Sequence, residues 1–432
     1  MKPTRARYWV IVFAITLAVL SYVDRVSISQ AAGPISRDLL LSKSQMGLVF
    51  GAFALSYALF EIPGGWLGDW MGPRRVLVRI VLAWSTFTAL TGAAWSFASL
   101  CVVRFLFGAG EAGCFPNLTK AFSVWLPRAE RVRAQGIMWA FARWGGAFTP
   151  PLVVLVFQYM TWRQAFALFG AFGIIWCVFF LRWFRDDPAD HPSLNAAERE
   201  LLKEVESLAL SHGDVPWKKL VSSGSVLLLW AQYFCFSYVW YFYITWLPTY
   251  LQEFRHQTPR AASVLAVLPL LFGGFGSLVC GFTANHLARR IGNIGTSRRS
   301  IAAGGMLTSA LFILLVTRIE DPIRAMLAMG FASFANDLVM PVAWNACMDL
   351  GGKYAGTVAG SMNMMGNLAG FTAPVIGGYL LQHTAGGWNL LLYLMSGIAV
   401  VGALCWAFID PVTPIEGGGP PTWQPLDQEA KI

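Results

Sequence analysis

The chain has 432 residues, 56% of them hydrophobic and only 13% charged, with a net charge of +9. A soluble domain carries about 25% charge, so the composition argues against a soluble enzyme or binding module. It also argues against a nucleic-acid surface, because the basic residues stand in short clusters between apolar runs. The 19 Trp and 31 Phe fit aromatic belts at membrane interfaces.

Taken in chain order, runs of about 20 apolar residues, the length of a bilayer-crossing helix, predict twelve spans. They lie at 8–30, 46–68, 77–97, 99–123, 134–158, 163–184, 224–250, 262–286, 299–317, 325–348, 355–381 and 388–409. The first run is long and lacks a small-residue cleavage site, so it reads as a true first helix rather than a signal peptide. The longest hydrophilic stretch separates six spans from six. The predicted organisation is therefore an N-terminal half at 1–184, a cytoplasmic linker at 185–222, a C-terminal half at 223–410 and a disordered tail at 411–432. The tail sequence EGGGPPTWQPLDQEAKI is rich in Gly and Pro. Within the linker, Asn195 followed by Glu198 reads as a helix N-cap with its capping-box partner. They open a short polar helix on a solvated tether.

Lys and Arg in the short loops set the orientation. Lys2, Arg5 and Arg7 precede span one, and Arg74, Arg75 and Arg79 follow span two. Lys120, Arg128, Arg131 and Arg133 follow span four, and Arg289, Arg290, Arg298 and Arg299 follow span eight. The connections between spans three and four and between eleven and twelve have neither residue. Both termini are expected in the cytoplasm. A weak internal repeat supports the two halves: GWLGDWMGPRR (65–75) follows span two and GFTANHLARRIG (281–292) follows span eight, with Asp69 and Asn285 at matching places.

Ionisable groups at membrane depth are costly and default to functional candidates. Arg104 and Glu111 in span four are seven residues apart, two helical turns, and share a face. At 1.5 Å per residue, Asp24 rises about 24 Å along span one, while Arg104 lies about 8 Å below the opposite surface. In a core of about 30 Å those depths nearly coincide, which predicts an Asp24–Arg104 pair. The same arithmetic puts Glu111 near mid-membrane and Arg143 about 14 Å up span five; Asp337 in span ten and Asn363 in span eleven are also central. Arg25, about 100° round from Asp24, offers a guanidinium fork suited to a carboxylate. Glu61 and Asp349 read as gate or solvated charges near cytoplasmic helix ends. The seven Cys show no metal-ligand or disulfide pattern. No nucleophile elbow, phosphate loop or dinucleotide fingerprint appears, and GAGEAG inside span four lacks the strand–turn–helix context. No enzyme, cofactor or metal is expected.

The loop GWLGDWMGPRR resembles the loop 2–3 motif of the major facilitator superfamily. YVDR (22–25), RFLFGAGEAGCFPNLTKAFSVWLP (104–127), YFYITWLPTYL (241–251) and MNMMGNLAGFTAPVIGGYL (362–380) are similar to its anion:cation symporter family, which includes hexuronate, glucarate and galactonate transporters. The resemblance implies an all-α membrane protein of twelve helices in two pseudo-symmetric six-helix halves. It implies that Asp24 and Glu111 are the protonatable pair, with Arg104 holding Asp24 in one state. It further implies that Arg25 and Tyr57 from one half, and Tyr241, Trp344 and Asn363 from the other, contact substrate. Asp69 would hold a gating ion pair, with Arg74 and Arg75 in the same motif. Arg143 and Asp337 depart from the family pattern. They would form an ion pair across the halves, or Arg143 would take a second carboxylate.

The resulting expectation is a monomeric carrier in a bacterial inner membrane that imports a small organic anion, a sugar acid first, by proton symport. An exchanger or uniporter for aromatic or dicarboxylic acids is the alternative. Its partners are the anion, protons and the lipid bilayer.

Overall fold

The computed structural model describes residues 3–41, 43–209, 217–247, 250–384 and 387–415. Among these residues no strand occurs. Spans one to three are Trp9–Asp38, Lys43–Met71 and Pro73–Thr91. Span four is two helices, Phe97–Glu111 and Cys114–Trp125. Spans five and six are Arg128–Phe157 and Trp162–Trp183. Spans seven to nine are Gly224–Thr245, Val267–Ile291 and Ile294–Val316. Span ten is again two helices, Pro322–Asp337 and Val339–Gly351. Spans eleven and twelve are Ala355–His383 and Gly387–Phe408. All twelve predicted spans have their helix. By length and hydropathy alone, nine stretches among the described residues are apolar enough to cross a membrane, and Pro322–Ala373, one of these, runs through two spans. Residues 416–432, most of the expected disordered tail, lie outside the described residues.

Local chemistry sets the helix ends. Ser96 caps span four and Thr161 caps span six, each in a capping box with the residue three later. The two broken spans were expected to be continuous. Each breaks four residues before a proline, whose ring clashes with the carbonyl four positions back. Pro116 stands four after Ala112, and Pro341 four after Asp337. At the first break Ala112 is extended and Gly113 takes φ 82. A side chain there would also stand 2.6 Å from the Cα of Gly64, so only glycine fits. At the second break the freed carbonyl of Asp337 accepts a bond from Ser277 Oγ at 3.3 Å.

The halves meet along two seams without side chains, the usual way helices approach closely in lipid. Span two crosses span eleven where a Cβ on Gly65 would stand 2.3 Å from the Gly356 carbonyl oxygen. Span five crosses span eight where a Cβ on Gly136 would stand 2.7 Å from the Cα of Gly281. Polar clamps close the end where the described chain starts, at Arg7 on Glu130, and stops, at Ile415 on Leu350. The Asp69 carboxylate accepts from the backbone N–H of Gly356 (3.1 Å) and Thr357 (2.6 Å), at the N-terminus of span eleven, where the helix dipole favours an anion. Lys120 pairs with Asp69 at 3.3 Å and donates to the Lys353 carbonyl at 2.5 Å. Asp349 is held by Arg128 (3.1 Å), Arg131 (3.7 Å) and Arg298 (2.7 Å), so it is a buried inter-half clamp rather than a solvated charge. Arg74 is engaged elsewhere, its N–H on Asp186 (2.8 Å) and its guanidinium on the Leu181 carbonyl (2.7 Å), and Arg75 is exposed. The partner of Asp69 in the motif is thus Lys120.

The linker is not the solvated tether expected of it. Its helix Ala196–Ala209 buries Leu202 against the membrane bundle. Asn195 Oδ1 does accept from the Glu198 N–H at 2.9 Å, while the Asn195 N–H donates to Thr4 Oγ1 at 3.4 Å. The Glu198 carboxylate is fully buried and turns instead to the start of the chain. It accepts from Thr4 Oγ1, from the N–H of Ala6 (3.1 Å) and Arg7 (3.2 Å), and from the Arg7 guanidinium (2.9 Å). Burial alone would raise its pKa, but these bonds outweigh burial and hold it below the ordinary glutamate value. A depressed acid contributes stability above its unfolded pKa and loses it as pH falls through the folded one. Docking of residues 4–8 on the linker helix is therefore expected to be intact at neutral pH and to loosen as pH falls below the ordinary glutamate range toward the depressed folded value. Glu198→Gln should loosen it at neutral pH by about 1–3 kcal/mol and remove the pH dependence. Hydrogen exchange of those amides, corrected for intrinsic rate, checks both outcomes.

Candidate functional site

Span one brings Ser21, Tyr22, Asp24 and Arg25 to the centre of the bundle, on either side of the first break in span four. Arg25 Nε donates to Glu111 Oε1 at 2.9 Å, and Ser21 Oγ donates to the same oxygen. Glu111 is fully buried, the last residue of the first half of span four, and its Oε2 has no hydrogen-bond partner. The Arg25 guanidinium lies 4.5 Å from the ring centroid of Tyr57, 5.5 Å from Phe53 and 5.6 Å from Phe115, an aromatic surround suited to a cation. Its Nη2 is buried without a partner, and so is the Tyr57 hydroxyl.

The expected Asp24–Arg104 pair is not closed. Both residues are buried and lie within electrostatic reach of each other, but no ion pair within 4.0 Å joins them. Arg104 instead places its guanidinium 4.3 Å from the Phe107 ring and 5.2 Å from Phe53, with Nε unpartnered. Helix arithmetic gave the right depth but not the side-chain direction. Arg25, one residue on from Asp24, reaches Glu111 and takes the carboxylate that lies between the two arginines.

The second buried pair joins the halves. Arg143 donates through Nε (3.0 Å) and Nη2 (2.8 Å) to Asp337 Oδ1, and through Nη1 to the Tyr22 hydroxyl at 3.4 Å. Its guanidinium lies 4.4 Å from the Trp240 ring, and both members of the pair are 1% exposed or less. Of the two arrangements the sequence allowed, this conformation forms the interhelical ion pair, which occupies all three nitrogens of Arg143.

Each of the remaining candidates on the C-terminal half is engaged by a neighbouring side chain. Tyr241 Oη donates to Asn367 Oδ1 at 3.1 Å. Trp344 is fully buried, donates to Tyr233 Oη at 3.0 Å, and packs 5.2 Å from Trp139 and 6.4 Å from Phe115. It forms an aromatic bridge between the halves. Asn363 Nδ2 donates to Glu61 Oε1 at 2.6 Å. Glu61 is therefore not a charge at a helix end but a fully buried acid at the centre. The sequence carried a signal for it, an acid two turns before Asp69 in an otherwise apolar run, with PGG just after it. Tyr22 and Trp240, which line Arg143, had no comparable signal. Among the described residues no group of His, Cys, Asp and Glu could hold a metal ion.

Sequence and structure comparisons point the same way. The sequence model of the Major Facilitator Superfamily matches residues 14–374. A probable sulfoacetate transporter of Cupriavidus necator is 36% identical, the match covering 95% of this chain and 96% of that one. A D-galactonate transporter of Escherichia coli is 30% identical over 94% of this chain and 96% of its own length. A hexuronate transporter of Bacillus subtilis is 28% identical over 94% and 95%. Among solved structures, the proton:xylose symporter XylE bound to 6-bromo-6-deoxy-D-glucose has a TM-score of 0.72 at 14% identity, covering 95% of this chain and 98% of that chain. The human organic anion transporter MFSD10 has a TM-score of 0.69 at 17% identity, over 94% and 100%.

Removing one member of a buried ion pair strands the other, at about 3–5 kcal/mol. Arg143→Gln and Asp337→Asn should each lower thermal stability and transport. The double change replaces the ions with two neutral amides that still hydrogen-bond, and should recover most of both. A double variant as impaired as the worse single one would show that Arg143 serves a partner beyond Asp337.

Proposed function

The chain belongs to the major facilitator superfamily, among its transporters of organic anions, and on that premise we propose that it imports a small organic anion together with protons. The protein is a multi-pass membrane transporter and not an enzyme. The observation that carries the finer reading is the half-used guanidinium of Arg25. Glu111 takes Nε, while Nη2 on the same edge of the fork has no acceptor, and the guanidinium lies 4.5 Å from the ring of Tyr57, whose hydroxyl is also unpartnered.

A carboxylate or sulfonate engages an arginine best through both nitrogens of one edge. Glu111 and the anion thus compete for Arg25. When Glu111 takes a proton its hold on Nε weakens, and the whole fork becomes available. A proton therefore favours the anion, and departure of both returns Glu111 to Arg25. Asp24 is the second proton site in this reading, and Arg104 is the cation that closes on it in another state. Tyr241, Trp344 and Asn363 form the opposite wall. The Arg143–Asp337 pair, and Asp69 with its partners, separate as the halves rock about the centre. The loops rich in Lys and Arg favour a cytoplasmic place for the clamped end, so this conformation reads as the one closed toward the cytoplasm of a bacterial cell, with the site built from one chain.

A sugar acid is the substrate class that the sequence favours, and it agrees with the names of the galactonate and hexuronate relatives. The 36% identity to a probable sulfoacetate transporter favours a second reading, a short anion with a sulfonate group. The side chains suited to sugar hydroxyls, Asn363, Asn367 and Tyr241, are engaged with one another or with Glu61, which fits the shorter anion. A ligand specific to the folded state raises its apparent stability. A thermal-shift panel of sulfoacetate, galactonate, galactarate and hexuronate on the purified protein should therefore separate the two. Stabilisation by sulfoacetate alone supports the short anion, and stabilisation by the sugar acids alone supports the first reading.

Glu111→Gln keeps shape and removes the proton site. Uptake driven by an inward proton gradient should fall to the level seen without a gradient, while counterflow of labelled against unlabelled anion persists. Wild-type uptake under the gradient would remove Glu111 from the coupling. Arg25→Lys replaces a fork with a point charge and should weaken anion affinity tenfold or more, about 1.4 kcal/mol, read as the shift in half-saturation of counterflow.

A further inference from the structure

Glu61 ties three elements together at the substrate side of the glycine seam. Its Oε1 accepts from Asn363 Nδ2 in span eleven at 2.6 Å, and its Oε2 accepts from the Gly113 N–H at 3.3 Å. Gly113 is the hinge of span four, two residues after Glu111, and its N–H points away from the first half-helix because the break has removed its intrahelical acceptor. Along the seam the order on span two is Glu61, Gly65, Asp69, facing Asn363, Gly360, Gly356 and Thr357 on span eleven. Asp69 clamps the outer end of that row and Glu61 the inner end. Around Glu61 stand Arg25, Glu111, Tyr57 and Cys114, but no cation lies within 4.0 Å of it among the described residues, so its bonds are with the two neutral donors.

We propose that Glu61 is a positioning residue that links the span-four hinge to the inter-half gate, holding the cytoplasmic seam shut through Asn363 for as long as Gly113 stays in its present place. This rests on the rocking of the halves proposed above. Movement of Glu111 when it exchanges Arg25 for a proton displaces Gly113, two residues on. That displacement pulls on the same carboxylate that holds Asn363. The site and the gate thereby share one side chain, and the gate need not sense the anion directly.

The link makes a specific set of demands. Glu61→Met removes both acceptors, and Asn363→Leu removes only the cross-half donor. Glu61→Gln preserves both bonds, because its Oε1 still accepts from Gly113 and its Nε2 donates to the Asn363 amide once that amide turns round. Opening is read in the full-length protein in lipid as the distance between spin labels on Arg182→Cys and Arg290→Cys. These exposed positions lie at the clamped ends of spans six and eight, in a background where the two half-buried cysteines, Cys101 and Cys405, are serine. Glu61→Met and Asn363→Leu should each raise the ratio of long to short distances about tenfold, as expected for loss of one charge-assisted bond. The double variant should go no further than either single one, since both remove the same link. Glu61→Gln should restore the wild-type distribution.

Additive effects, or an unchanged distribution in Glu61→Met, would overturn the proposal. So would a Glu61→Gln protein as open as Glu61→Met, which would make Glu61 a titrating group instead. If the wild-type protein never populates the long distance at any pH or with any anion of the panel, the rocking reading falls, and the gate link falls with it.

Discussion

Three guanidinium groups, those of the buried Arg104 and Arg143 and the partly buried Arg25, constrain everything else at the centre of this molecule. An arginine cannot discharge itself by losing its proton at physiological pH, and in a membrane interior it must be answered by carboxylates, aromatic faces or substrate. Arg143 is fully answered by Asp337, Tyr22 and Trp240. Arg25 is half answered by Glu111, and Arg104 rests mainly on aromatic rings with a carboxylate in reach. In the proposed reading this gradation separates a structural arginine from the working ones: the fully paired guanidinium joins the halves, and the incompletely paired ones are left to attract an anion.

The two broken spans place those acids. Glu111 ends the first half of span four, and Asp337 ends the first half of span ten, so corresponding helices of the two halves carry an acid at the same structural point. At each break the backbone loses the regular bond pattern and recruits an outside partner. Glu61 supplies it in one half and Ser277 in the other. Irregular backbone at membrane depth survives only where protein surrounds it, and both breaks lie in the packed interior. The polarity of the centre is therefore built into the fold as much as into its side chains.

The fold was legible from the sequence because apolar run length and the distribution of Lys and Arg are strong, additive signals. All twelve spans could be read that way. The breaks were also legible in principle, since Pro116 and Pro341 mark the residues four before them, but run length cannot see an interruption inside an apolar stretch. The site was legible as a set of depths rather than a set of partners. Arithmetic along a helix axis placed Asp24, Arg104 and Glu111 at compatible heights, yet it could not tell that Arg25 rather than Arg104 would meet a carboxylate at bonding distance. Glu61 was misplaced because it precedes a loop motif and was read with that loop, although it lies two helical turns inside the bundle. The linker was misread for a related reason. Its polar sequence describes the face toward water, while Leu202 and Glu198 act on the face turned to the protein.

The glycine crossings restrict how a carrier of this shape can diversify. At Gly65, Gly136 and Gly356 the backbones are too close for any side chain, so mutation at those points separates helices instead of reshaping a pocket. A lineage that changes its cargo must therefore leave spans two, five, eight and eleven nearly untouched along the seams and vary the walls contributed by spans one, four, seven and ten. Two such carriers can come to recognise unrelated molecules while their seams stay alike, much as different keys are cut on the same blank.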